Sequence, residues 1–101
     1  MELKNENFKE EIKEGITLVD FYATWCGPCK MMHPVIDKIE EQYKDIKVIK
    51  IDVDQHEDLA HEYGVMSIPT LYLMKNGEPV EKNIGFTPQE KIENWIKEQQ
   101  K

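Results

Sequence analysis

The run Ile16 to Ala23 is almost unbroken in β-prone residues, and it feeds directly into Trp25-Cys26-Gly27-Pro28-Cys29-Lys30. Beyond that string, Met32, Val35, Ile36, Ile39 and Tyr43 recur at helical spacing. A buried strand that passes without a linker into an amphipathic helix is the junction of a layered α/β domain. Both cysteines of the chain sit at this junction, Cys26 near the helix N-cap and Cys29 in the first turn. Pro28 is tolerated between them because first-turn amides have no intrahelical partner.

Unpaired amides and the positive end of the helix dipole favour a thiolate at Cys26, and the thiolate is the species that attacks disulfides. Cys29, one turn deeper, is expected to be more buried and to remain a thiol until needed. Two other readings of the pair stay open on these residues alone. Zinc would need two further ligands, and His56 and His61 lie too far downstream for the usual finger spacing, with only His33 besides. A purely structural disulfide would clamp a short loop and add little.

The composition narrows the function classes. The 101 residues suit one domain, 1–101, with a modest core. Thirteen lysines, no arginine and 20 acids give a net charge of −7, which argues against nucleic acid. The first fifteen residues hold no apolar signal core, and no window approaches a membrane span. A monomer in a reducing cytoplasm is expected, where a cysteine pair is more often catalytic than structural.

Along the chain, Glu2 to Lys4 reads as a short edge strand, and Asn5 or Asn7 as the cap of a first helix ended by Gly15. Ile16 to Tyr22 is a buried strand; Pro34 is expected to kink the helix that follows the cysteines. Ile46 to Val53 is a second β-rich segment and His56 to Tyr63 a short helix stopped by Gly64. Strands Thr70 to Met74 and Pro79 to Ile84 flank Asn76-Gly77, whose positive φ angles suit a tight hairpin. Thr87-Pro88-Gln89-Glu90 reads as a capping box before a helix burying Ile92, Trp95 and Ile96. The order βαβαβαββα implies parallel pairing finished by an antiparallel hairpin, a mixed sheet with helices on both faces.

Asp20 lies inside the most apolar strand, where burial should raise its pKa. Lys50, on the next β-rich segment, is the cation placed to moderate it. Asp20 is therefore a candidate to move protons for Cys29. His33, His56 and His61 read as solvated helix residues, and Met31 and Met32 as packing or solvent-edge positions. The strand beginning at Pro69 leaves the preceding backbone free to pair with an extended peptide.

With Asp20, the Trp25-to-Lys30 string, Pro34, Lys50, Ile68-Pro69-Thr70, Gly77 and Gly85 in order, the chain closely resembles the thioredoxin family from about Leu3 to the last helix. The resemblance implies a thioredoxin fold, a mixed five-stranded central sheet flanked by four helices. It implies that Cys26 is the attacking thiolate and Cys29 the resolving thiol, that Asp20 and Lys50 are the buried acid and its cation, and that Pro69 is a cis-proline facing the disulfide. Trp25, Gly27, Pro28, Met66, Ile68, Pro69 and Gly85 would line the client groove. Tyr22 departs from the family, standing where many members carry a second tryptophan, and no arginine lies near Met66.

The activity so implied is protein-disulfide reduction with no bound cofactor or metal. The dithiol would be regenerated by a thioredoxin reductase, either flavin-dependent and using NADPH or ferredoxin-linked. The family's clients are ribonucleotide reductase, peroxiredoxin and methionine sulfoxide reductase. Rival readings are an oxidase or isomerase, and a non-catalytic binding subunit recruited for its surface.

Overall fold

The computed structural model describes residues 1–101. Its elements run α1 (Phe8–Glu11), β1 (Ile16–Tyr22), α2 (Gly27–Gln42), β2 (Lys47–Asp52), α3 (Glu57–Glu62), β3 (Thr70–Lys75), β4 (Glu78–Ile84) and α4 (Gln89–Gln99). The strands form one sheet in the order β2-β1-β3-β4, with β1 and β2 parallel and the other neighbours antiparallel.

Side chains alternate along a strand, so β1 feeds two cores at once. Leu18 faces a cluster with Met32 and Ile36 of α2, Leu71 and Leu73 of β3, and Ile92 and Ile96 of α4. Val19 and Phe21 face the opposite cluster, with Phe8, Ile12, Ile49, Ile51, Tyr72 and Met74. Every β1 residue after Ile16 is buried. Covering both faces is what turns this strand into a continuous apolar run and places Asp20 inside it.

The expected five-stranded sheet has four strands, because Glu2 to Lys4 forms only an isolated parallel bridge, Glu2 to Lys50. Leu3 N donates to Lys50 O and Lys50 N to Met1 O, both at 2.8 Å. Pairing stops there because Leu3 O, the next group in line, lies 3.0 Å from His56 Nε2, and Asp52 O is taken by the amides of Gln55 and His56.

Helix α1 is a single turn capped by Asn7, whose side chain accepts from Lys9 N at 3.1 Å. It ends at Ile12, not at Gly15. Gly15 braces the β3–β4 hairpin instead, donating to Asn76 Oδ1 at 2.8 Å and accepting from Asn76 N at 2.9 Å. The Asn76 and Gly77 φ angles of 51° and 88° are those the two-residue turn requires.

The capping box at α4 does not form. Pro88 occupies the N-cap, and Thr87 Oγ1 is engaged elsewhere, donating to Gly85 O at 3.2 Å and accepting from Asn83 Nδ2 at 2.8 Å. Helix α2 continues as one element through Pro34.

Leu73 is fully buried on the central strand β3. Leu73→Ala should cost about 2–5 kcal/mol in urea unfolding, whereas Lys97→Ala on the exposed face of α4 should stay within about 0.5 kcal/mol.

Candidate dithiol site

The site is built where β1 ends and α2 begins. The Cys26 amide donates to Ala23 O at 3.2 Å, turning the chain out of the strand, and Cys26 O accepts from Lys30 N at 3.2 Å, starting the helix. Cys26 is the N-cap itself, with extended φ and ψ of −89° and 117°, and its Sγ accepts from Cys29 N at 3.2 Å. A sulfur thus fills the capping role usually taken by a serine, threonine, aspartate or asparagine oxygen. Pro28 lies in the first turn. Cys26 and Cys29 are joined in a disulfide with Cα atoms 5.2 Å apart.

The contrast expected between an exposed and a sheltered sulfur is small. Cys26 is 4% exposed and Cys29 fully buried, in one cluster with Tyr22 and Ala23 and with Val53 and Ile68 against it. Exposure belongs to the surrounding apolar side chains, Trp25 at 68%, Met66 at 95% and Met31 at 65%. Trp25, Val53, Val65, Met66, Ser67 and Ile68 line a hollow of about 460 Å³ beside the disulfide. Trp25 is oriented by Asp54, whose carboxylate accepts from the indole N–H at 2.8 Å.

The loop before β3 completes the mouth. The Ile68–Pro69 peptide is cis, and Cys26 Sγ lies 3.8 Å from Ile68 O. Ile68 makes no backbone hydrogen bond through either its N–H or its C=O. Gly85 N donates to Pro69 O at 2.7 Å, which fastens the loop to the end of β4. Of the residues expected to line a groove, Trp25, Met66 and Ile68 share the hollow, while Pro69 and Gly85 form the brace behind it. Gly27 and Pro28 lie exposed on the helix start.

Asp20 is fully buried, and neither carboxylate oxygen has a hydrogen-bond partner. Burial pushes its pKa up to about 7; Lys50 opposes the rise and Glu2 adds to it. Asp20 and Lys50 are register partners on β1 and β2, but the Lys50 ammonium is drawn to Asp37 Oδ1 of α2 at 3.4 Å. Sequence reasoning placed the cation and missed its competitors. Tyr22, two residues beyond Asp20 on the same face, packs in the cysteine cluster and donates its hydroxyl to Glu2 at 2.6 Å. Burial, and next that bond to Glu2, raise the Tyr22 phenol above its ordinary range.

Two of the three histidines are half-buried rather than freely solvated. The His33 ring meets the Tyr22 ring edge-on with centroids 5.4 Å apart, and its Nδ1 is buried. His56 Nε2 lies 3.0 Å from Leu3 O, tying α3 to the N-terminal segment. His61 is exposed. No three His, Cys, Asp or Glu side chains converge as a metal site would require.

A family model described as Thioredoxin matches residues 1–98. The chain is similar to the thioredoxin of Bacillus subtilis (strain 168), 46% identical over 93 residues that span 91% of this chain and 89% of that protein. Among solved structures it resembles a mutant thioredoxin from Halobacterium salinarum NRC-1, with TM-score 0.88, 37% identity and coverage of 97% and 88%. It also resembles a chain solved for the thiol resolving mechanism in yeast mitochondrial 1-Cys peroxiredoxin via glutathione/thioredoxin systems, with TM-score 0.87, 40% identity and coverage of 96% and 92%.

A carboxyl at about 7 in the fold and ~3.9 unfolded makes stability pH-dependent in one direction. Its contribution is fully present below pH ~4. Between there and about 7 the native state keeps a proton the unfolded chain has lost, so stability falls as pH rises. The slope approaches about 1.4 kcal/mol per pH unit. In Asp20→Asn, urea unfolding of the oxidised protein from pH 4 to 8 should lose this decline and show a more stable protein at the alkaline end. An undiminished slope would refute the burial of an ionisable Asp20.

Proposed function

The chain belongs to the thioredoxin family and is a thiol–disulfide oxidoreductase acting through Cys26 and Cys29, and from that premise we propose how its residues divide the work. The observation that carries the reading is the Cys26–Cys29 disulfide at the start of α2, beside the unpaired Ile68 backbone and the Trp25–Met66 hollow.

In the reduced protein the Cys29 amide and the start of α2 favour a thiolate at Cys26. A client strand pairs with the free N–H and C=O of Ile68 as a strand would with a sheet edge, and an apolar client residue enters the hollow. Cys26 attacks one client sulfur; a Cys26–client disulfide forms and the second client sulfur leaves as a thiolate. Asp20 then takes the Cys29 proton. The Cys29 thiolate attacks Cys26 Sγ, the Cys26–Cys29 bond forms, and the first client sulfur leaves as a thiolate. Two electrons have passed to the client, whose thiolates take up two protons according to pH. Asp20 suits this step because it lies near the point of half-protonation at neutral pH, and Lys50 limits how far burial lifts it.

The electrons reside in the two sulfurs, so the chemistry requires no bound cofactor or metal. A thioredoxin reductase, flavin-dependent or ferredoxin-linked, returns the disulfide to the dithiol. Clients include peroxiredoxin, in keeping with the yeast system whose solved chain this one resembles, and ribonucleotide reductase and methionine sulfoxide reductase. The protein works in the cytoplasm, where a reducing supply keeps Cys26 and Cys29 cycling.

Cys26→Ser should abolish insulin disulfide reduction, whereas Cys29→Ser should stall at the first exchange and accumulate mixed disulfides with clients on non-reducing gels. Reduction retained by Cys26→Ser would overturn the assignment of the attacking sulfur.

A further inference from the structure

The N-terminal segment adds one residue to the sheet, and that residue is placed beside the buried acid. The bridge aligns Glu2 with Lys50, and β1 aligns Lys50 with Asp20, so carboxylate, ammonium and carboxylate lie in one row across three neighbouring segments. Partners in register project to the same face of a sheet. The Tyr22 hydroxyl donates to Glu2 at 2.6 Å, and Lys50 leans to Asp37 at 3.4 Å. Glu2 and Asp37 thus each have a donor, and Asp20 has none.

Other charged and titratable groups around this row are few. Strand β2 adds Asp52, the partner of Tyr22, and α2 adds Asp37, Glu40 and the His33 ring. Glu40 lies 3.5 Å from the Met1 amine, which donates to Val48 O at 2.5 Å. Cys29 packs at the top of the layer with Tyr22. Strand β3 presents Leu71 opposite Asp20, and α4 packs Ile92 and Ile96.

We propose that Glu2 is a positioning residue for the Asp20 proton: strapped to β2 beside Lys50 and bonded to Tyr22, its carboxylate competes for the one ammonium in the row and so makes Asp20 the stronger base toward the Cys29 thiol. The proposal rests on the reading of Asp20 as the proton acceptor of the resolving step. Glu2 acts through charge, and its surface position makes that action sensitive to salt. The electrostatics run the same way: burial does most to raise the Asp20 carboxyl, Lys50 opposes it, and Glu2 adds to the rise.

The test titrates the Asp20 side-chain carboxyl by carbon NMR and measures single-turnover insulin reduction against pH. Glu2→Gln keeps an oxygen for the Tyr22 hydroxyl and removes only the charge. The Asp20 midpoint should move to lower pH, the acid limb of the rate should move with it, and both differences should shrink as salt is raised. Tyr22→Phe, which frees the Glu2 carboxylate into solvent, should move the midpoint in the same direction. An unmoved midpoint in Glu2→Gln, even with a loss of urea stability, would reduce Glu2 to a structural strap and overturn the proposal. Asp20→Asn separates the two ideas. If it abolishes the acid limb while Glu2→Gln leaves it in place, Asp20 stands and Glu2 falls. If it leaves the limb intact, the role of Asp20 fails and takes the proposal with it.

Discussion

One contact starts the helix and prepares the chemistry: the Cys29 amide donating to Cys26 Sγ at 3.2 Å. A helix beginning at residue 27 needs an acceptor for its first free amides, and here the acceptor is the atom that exchanges electrons. The helix is held in turn by Met32, Ile36 and Ile39, all fully buried, so the cap cannot drift from the mouth without unpacking the layer. Reactivity and stability share an anchor. That is why the string from Trp25 to Lys30 follows so closely on a strand buried along nearly its whole length.

The same anchoring accounts for a feature that would otherwise be a defect. A carboxyl with no hydrogen-bond partner inside a sheet opposes folding whenever it is ionised. Asp20 avoids part of this cost by keeping its proton up to about 7. A fully paired Asp20 would be a stable carboxylate with little tendency to gain or release a proton near neutrality. Lys50, divided between Asp20 and the Asp37 contact at 3.4 Å, leaves it unpaired.

Much of this was legible in the chain itself, because the responsible signals are local. The β1 boundaries follow from an unbroken apolar run, the hairpin from Asn76-Gly77, and the dithiol junction from the change of periodicity at Trp25. What escaped depends on which of several partners a side chain finds in the folded protein. The Thr87 hydroxyl looked like a cap and is taken by Asn83 and Gly85. Gly15 looked like a helix stop and binds Asn76. His33 and His56 read as solvated, yet one packs on Tyr22 and the other meets Leu3 O. Glu2 gave no signal, since its meaning comes from lying beside Lys50 and under Tyr22. The fifth strand failed because the groups that would have extended it, Leu3 O and Asp52 O, are taken by the His56 ring and by the turn that leads into α3.

The burial of both cysteines bears on how a disulfide substrate can reach them. With Cys26 only 4% exposed and Cys29 fully buried, the pair offers little face to which a folded surface could simply be apposed. Under the proposed docking, a client brings its disulfide in on an extended segment that reaches past Trp25 and Met66. In that proposal recognition falls to groups present in every extended peptide, paired with the N–H and C=O of Ile68, whose hydrogen bonds carry no side-chain information. The hollow beside them asks only for apolar surface, and the methionine at its rim is flexible enough to fit different shapes. Discrimination is left to the periphery, where a net charge of −7 and an arginine-free surface weigh against acidic segments. Affinity from the backbone and selection from long-range charge is the division expected of a carrier that must release each partner as soon as its disulfide has been opened.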